Sequence, residues 1–142
     1  MGFRFTCEHP VRWKDIDAAR VLNNAVYLSL VEQARFEYFH ELDLLADEQV
    51  PFLLGETTIR FLKPGRAGMK LTIGARVLRL GGKSFDMDYE IRHGDEILAT
   101  VRAVLVYADP VTLQTRTIPS HFRRRISMFE GIPEKDLGRG GS

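Results

Sequence analysis

Trp13-Lys14-Asp15-Ile16-Asp17-Ala18-Ala19-Arg20-Val21-Leu22-Asn23-Asn24 is the stretch where the chain changes character. Before it, apolar residues alternate with polar ones: Phe3, Phe5 and Cys7, then, past His9-Pro10, Val11 and Trp13. That period of two reads as a strand. The strand is kinked or lies at a sheet edge, because proline has no N–H to give to a central ladder. After the stretch the period becomes that of a helix. Asn23 fits the N-cap and Asn24 the first helical position, since an asparagine side chain accepts from the free N–H groups of a first turn. Asp15 and Asp17 therefore stand beside a helix start, where unpaired N–H groups and the positive end of the helix dipole gather. They are either satisfied turn and cap residues or one half of an active site whose other half is the helix end.

From Asn24 to about Leu44, Tyr27, Leu30, Val31, Ala34, Tyr38 and Leu42 fall on one stripe, with Glu32, Arg35 and Glu37 off it. Leu28, Phe36 and Phe39 widen the stripe, which predicts a mostly buried helix about 30 Å long. Glu32 and Arg35, at i and i+3, read as an ion pair on the helix face.

Beyond a connection from Asp43 to Gln49, nearly everything alternates with period two. Phe52, Leu54 and Ile59 to Leu62 predict a second strand, ended by Lys63-Pro64-Gly65-Arg66. Leu71 to Val77 predicts a third, closed by Gly81-Gly82, and Phe85 to Ile91 a fourth, with His93-Gly94-Asp95-Glu96 as a hairpin turn. Ile97 to Tyr107 is a fifth strand, apolar on both faces and so interior to the sheet. Asp109-Pro110 ends it, and a short helix follows from His121 to Phe129 with Ser120 as its cap. Short turns favour antiparallel pairing. The expected fold class is α+β: an antiparallel five-stranded sheet wrapped around one long central helix. It occupies residues 1–129 as one domain, with 130–142 as a partly disordered tail, most so at Gly138-Arg139-Gly140-Gly141-Ser142. A single such layer leaves the outer face or an edge of the sheet partly apolar, which predicts pairing with a second copy.

Composition narrows the function. With 142 residues, 44% hydrophobic and 27% charged, the chain is an ordinary globular domain that needs no staples. A net charge of +1 argues against a nucleic-acid binder that neutralises phosphates. The N-terminal residues lack the uninterrupted apolar core of a signal peptide, and no apolar run reaches the ~18 residues of a membrane span. Cys7 is the one cysteine, which excludes an internal disulfide and a cysteine-based zinc site and allows a reducing compartment, the cytoplasm. In its alternating strand it has no evident partner. His9, His40, His93 and His121 show no metal-type spacing.

Asp15-Ile16-Asp17-Ala18-Ala19-Arg20-Val21-Leu22-Asn23-Asn24-Ala25-Val26-Tyr27 resembles the Asp-x-Asp-x-x-Gly-x-x-Asn/Tyr-Asn-x-x-Tyr signature of hotdog-fold acyl-CoA thioesterases, of the 4-hydroxybenzoyl-CoA thioesterase type. Further likeness runs through Glu32-x-x-Arg35, Phe61-Leu62-Lys63-Pro64-Gly65, Gly82-Lys83-Ser84-Phe85, Tyr89-Glu90-Ile91 and Arg116-x-Ile118-Pro119. The resemblance implies a hotdog fold, a homodimer or a tetramer built from it, and hydrolysis of a coenzyme A thioester without metal or cofactor, coenzyme A being part of the substrate. It places the catalytic carboxylate on Asp17 and the carbonyl-polarising N–H on Asn24. The related hotdog dehydratases pair a histidine with a carboxylate, and that motif is absent here. One position departs from the signature: Arg20 stands where glycine is usual. Glycine there implies a positive φ, which a long side chain adopts only at a cost, so the loop is expected to change path or to carry that cost.

A thioester carbonyl needs donors aimed at the developing oxyanion and a base or nucleophile opposite them. The helix start supplies the donors. Asp17 supplies the second, either by attack to give a mixed anhydride or by deprotonating water, while Asp15 orders the loop. Substrate-binding candidates are Tyr27, Lys83, Ser84, Arg123 and Arg124, with Lys63 as a weaker one and Trp13, Tyr27 and Phe61 lining the acyl pocket. The run Arg123-Arg124-Arg125 is either a solvated helix face or a contact for coenzyme A phosphates. Two other readings stand beside the acyl-CoA thioesterase: a non-catalytic acyl-CoA-binding hotdog module, and an acyl-carrier-protein thioesterase whose basic cluster meets an acidic carrier protein.

Overall fold

The computed structural model describes residues 2–137. Its core is a five-stranded antiparallel sheet of β1 (Phe5–Pro10), β2 (Phe52–Phe61), β3 (Lys70–Leu80), β4 (Ser84–His93) and β5 (Glu96–Tyr107), in the spatial order β1-β3-β4-β5-β2. Between β1 and β2 runs the longest helix, α1 (Asn24–Glu41), which carries the chain from one sheet edge to the other. Two further helices follow β5: α2 (Ser120–Glu130) and the single turn α3 (Glu134–Leu137).

The alternation in the sequence decides which face of each strand is covered. Leu71, Ile73, Ala75 and Val77 of β3, Phe85, Met87, Tyr89 and Ile91 of β4, and Val101, Ala103 and Leu105 of β5 are buried on the helix side. From above come Val31, Ala34, Tyr38 and Phe39 of α1, and Phe122 and Ile126 of α2. Phe39 is the junction, with its ring centroid 4.9 Å from Phe52, 5.7 Å from Phe85 and 5.4 Å from Phe122. Burying each such aromatic contributes roughly 1.5–3 kcal/mol, so this cluster fixes how both helices sit on the sheet.

Turn chemistry sets the register. His93 pairs with Glu96 around a two-residue loop whose first member, Gly94, has φ 61, the II′ pattern that matches strand twist. In β2 the register shifts between Leu54 and Glu56, so Gly55 forms a bulge. Pro10 ends β1, an edge strand, as a proline in a sheet requires.

Several expectations are corrected. The short helix expected after β5 is present as α2 and packs on the sheet beside α1, so α1 does not cover the sheet alone. Trp13 does not continue β1: it opens a 3-10 turn over Trp13–Asp15 and is 81% exposed. α1 buries only six of its 18 residues, and Leu28 stays exposed. Arg35, placed off the apolar stripe, is buried, and its Nε donates to the Tyr89 hydroxyl at 2.7 Å instead of pairing with Glu32. Burial and the neighbouring guanidinium act oppositely on that phenol, and burial wins, pushing it up to about 12. Pro119, not Ser120, caps α2, without a side-chain bond. The outer sheet face is not apolar. It carries the cross-strand ion pairs Arg76–Asp88, Arg79–Asp86 and Arg102–Asp88 and the pair Arg92–Glu90 along β4. Exposed apolar side chains gather instead at the β2 edge, where Leu53, Leu54, Phe61 and Leu62 lie open. Leu137 of α3 is buried against the domain, whereas residues 138–142 of the expected tail lie outside those described.

Candidate active site

The aspartate stretch folds into a small hairpin that delivers the chain to α1. Ile16 and Leu22 form an antiparallel bridge, and the Asn23 N–H donates to Asp15 O at 2.8 Å. Asp15 is buried, and its Oδ2 accepts from the Arg12 N–H at 2.9 Å, so it orders the loop. At the tip, Asp17 N–H donates to Val21 O at 3.0 Å and Arg20 N–H to Asp17 O at 2.9 Å. Asp17 Oδ1 accepts from the Ala19 N–H at 2.8 Å, while the residue as a whole is exposed. Arg20 takes φ 68, so the loop keeps the left-handed turn that glycine would favour and bears its cost instead of changing path.

The helix start behaves as cap chemistry dictates. Asn23 Oδ1 accepts from the Ala25 N–H at 2.9 Å, and the Val26 N–H donates to Asn23 O at 2.9 Å. Among the described residues, nothing accepts from the Asn24 N–H. The first turn holds no acidic residue, so the positive dipole end is not neutralised from within α1. A free N–H at such an end is a ready donor to an oxyanion.

Beside it lies a groove of about 240 Å³, lined by Val21, Leu22, Asn24, Tyr27 and Phe61–Pro64. Tyr27 is buried edge-to-face on Phe61, with centroids 5.1 Å apart. Burial raises its hydroxyl above the ordinary range, and a hydrogen bond with the Gly65 backbone pulls the other way. The 63–65 loop is locked on the hairpin by Leu22 N–H to Gly65 O at 2.8 Å, and a Cβ on Gly65 would stand 3.0 Å from that of Leu22. The Lys63 ammonium pairs with the Glu96 carboxylate at 2.8 Å. Of the expected acyl-pocket residues, then, Tyr27 and Phe61 line the groove and Trp13 does not. A larger groove of about 740 Å³ runs between α1 and the start of β2, past Leu28, Glu32, Arg35, Phe36, Leu53 and Leu54.

The remaining candidates gather at the other end of the sheet. Lys83 and Ser84 occupy the β3–β4 turn, where Lys83 O accepts from the Tyr107 N–H and Ser84 Oγ from Arg79 at 3.4 Å. Arg123 folds onto the same turn: its Nη2 donates to Gly81 O and, at 3.5 Å, to Gly82 O, and its Nε donates to Ile118 O at 3.3 Å. Arg124 beside it is exposed, and Arg125 lies 3.9 Å from Asp43. Phe61 pairs through Ala99 with Ile91, seven residues along β4 from Ser84, so the two groups stand about 23 Å apart in one chain.

Folding also gives Cys7 partners that its place in the sequence does not announce. His9 shares its face of β1, and Glu37 meets both from α1. Burial, with the Glu37 carboxylate beside it, pushes the thiol up to about 12.

Residues 11–126 match the Thioesterase-like superfamily. A thioesterase from Thermus thermophilus, solved with coenzyme A and zinc, is 31% identical, with a TM-score of 0.84 over 93% of this chain and 98% of that one. An acyl-acyl carrier protein thioesterase of Arabidopsis thaliana chloroplasts is 27% identical over 86% of this chain and 67% of its own length. A 1,4-dihydroxy-2-naphthoyl-CoA hydrolase of Nostoc punctiforme is 26% identical over 81% of each. The hotdog thioesterase likeness read from the aspartate signature is thereby borne out, and the chain belongs to the Thioesterase-like superfamily.

Proposed function

We propose that this thioester hydrolase cuts acyl-coenzyme A thioesters, with Asp17 as its working carboxylate and the Asn24 N–H as its oxyanion donor. The observation that carries the reading is their placement on one short hairpin: a carboxylate at the tip and a free N–H at the helix start. In the reaction, water adds to the acyl carbon, the carbon–sulfur bond breaks, and free acid and the thiol of coenzyme A leave. The Asn24 N–H and the dipole of α1 stabilise the negative charge that grows on the carbonyl oxygen. Asp17 either attacks the carbonyl, giving a mixed anhydride that water opens, or takes the proton from the attacking water. No metal or cofactor takes part in this scheme.

A homodimer, or a tetramer of such dimers, completes the site in this reading. The apolar β2 edge and the open face of α1 form the surface that the second copy covers. Antiparallel pairing of β2 with its copy reverses the second subunit along the strand direction. The Lys83, Ser84, Arg123 and Arg124 end of one subunit then meets the Asp17 end of the other, and the basic side chains receive the nucleotide phosphates. α1 becomes the central helix around which the sheet curls, with the acyl group between it and the neighbouring subunit. No helix among the described residues is long and apolar enough to cross a membrane.

The test is hydrolysis of aromatic, short-chain and long-chain acyl-coenzyme A by the wild type and by Asp17→Asn. Turnover in the wild type and its loss in the variant are expected. Unchanged turnover in Asp17→Asn removes Asp17 from the chemistry, and binding without turnover across the panel points to a non-catalytic module. The likeness to an acyl-acyl carrier protein thioesterase supports a second reading, in which the basic end meets an acidic carrier protein. A preference for carrier-protein thioesters that Arg123→Glu weakens would select it.

A further inference from the structure

The inner face of β1 turns Phe5, Cys7 and His9 toward α1. Cys7 Sγ, a ring nitrogen of His9 and a carboxylate oxygen of Glu37 all lie within 4.8 Å of one another. His9 Nε2 is 3.4 Å from Glu37 Oε2, yet this buried nitrogen makes no hydrogen bond. A buried ring nitrogen next to a carboxylate without bonding geometry needs an explanation. In a tetrahedral zinc site, with Zn–S of about 2.3 Å and Zn–N or Zn–O of about 2.0–2.2 Å, neighbouring ligand atoms stand roughly 3.3–3.6 Å apart. The His9–Glu37 separation is such an edge. Gln33 Nε2 donates to the same Glu37 oxygen at 2.9 Å, the kind of outer contact that orients a metal-binding carboxylate.

Against the expectation that a single cysteine excludes a cysteine-based zinc site, which holds for sites built on several thiolates, we propose that Cys7, His9 and Glu37 bind a zinc ion, with water as the fourth ligand. Thiolate and imidazole donors select zinc over magnesium and calcium, which favour all-oxygen shells. Binding replaces the thiol proton, which leaves to solvent. The partial exposure of His9 and Glu37 gives the ion a way in. Glu37 lies thirteen residues beyond Asn24 on α1, about 20 Å along the helix. The ion is therefore a clip that pins the edge strand β1 to α1, not a participant in thioester chemistry.

The test uses the whole chain with zinc and cobalt(II) as probes. One equivalent of zinc per chain in a chelator competition is expected, together with a rise in melting temperature that magnesium does not reproduce. Cobalt(II) should give a thiolate-to-metal charge-transfer band in the near ultraviolet and intense visible bands of tetrahedral geometry. Cys7→Ser should abolish the charge-transfer band, and His9→Gln should weaken zinc binding at least tenfold, both with unchanged circular dichroism. If either variant fails to fold, Glu37→Gln, at the solvent edge, carries the same affinity test. Binding of less than one equivalent, a charge-transfer band that survives Cys7→Ser, or unchanged zinc affinity in the variants would overturn the proposal. Acyl-coenzyme A turnover should not change when zinc is added or chelated.

Discussion

The Arg20 N–H donates to the Asp17 carbonyl oxygen at 2.9 Å, and Arg20 closes that turn at φ 68. Neither Ala18 nor Ala19 has a positive φ. The loop is therefore a type I turn followed by one left-handed residue, a standard three-residue hairpin in which glycine normally takes the last place. An arginine there costs about 1–2 kcal/mol. Glycine would recover most of this, less what its freer unfolded chain gives back. Arg20→Gly should raise stability by about 0.5–1 kcal/mol, read from the urea midpoint at constant slope. A lower midpoint would show that the arginine side chain holds the loop by contacts that outweigh the backbone cost.

Asp17 has two roles that different substitutions separate. Its Oδ1 accepts from the Ala19 N–H, and asparagine keeps that acceptor while removing the charge and the basicity. Asp17→Asn should lose about 10²-fold or more in turnover, with a melting temperature close to wild type. Asp17→Ala should lose turnover and about 1 kcal/mol of stability as well, because the turn loses its acceptor. Full turnover in Asp17→Asn would leave the residue as a turn former only.

Local signals carried most of the fold and the first half of the site. Alternation placed the strands, Gly94-Asp95 placed the hairpin, and the Asn23 cap placed the start of α1, because each depends on neighbours in sequence. What escaped depends on contacts between distant segments. Arg35 is drawn inward by Tyr89 from another strand, a partner that no helical periodicity displays. Trp13 follows an apolar alternation, yet the chain leaves the sheet one turn earlier. Cys7 and His9 are i and i+2 on a strand, and their third neighbour, Glu37, comes from a helix face that reads as solvated. Arg123 belongs to a charge run suited to phosphate, but three carbonyl oxygens already share its guanidinium.

That engagement makes Arg123 and Arg124 distinguishable. Arg123 braces the β3–β4 turn against α2, so Arg123→Gln should lower stability by about 1–2 kcal/mol and raise KM. Arg124 is exposed and bonded to no protein group among those described. Arg124→Gln should leave the melting temperature unchanged and raise KM for acyl-coenzyme A, with a smaller rise at high salt, where phosphate contacts are screened. Equal KM values for wild type and Arg124→Gln at low salt would show that Arg124 meets no phosphate.

Glu130 links the end of α2 to the core and gives stability a pH dependence of definite sign. Its Oε2 accepts from the Tyr38 hydroxyl at 2.5 Å and from the Val77 N–H at 3.1 Å. Burial raises its carboxyl above the ordinary value of 4.5, and these two bonds only partly offset that. Folding therefore favours the protonated form. The resulting stabilisation is fully present below pH 4.5 and is lost as pH rises through the raised folded value. Glu96 and Asp109 shift downward, so what they contribute is lost as pH falls below their ordinary values of 4.5 and 3.8. Above pH 4.5 the Glu130 effect should show as a melting temperature that declines with rising pH. Glu130→Gln keeps an acceptor for both donors and cannot titrate, so its melting temperature should decline less over the same range. An identical slope in both proteins would show that the carboxyl titrates alike in the folded and unfolded chain.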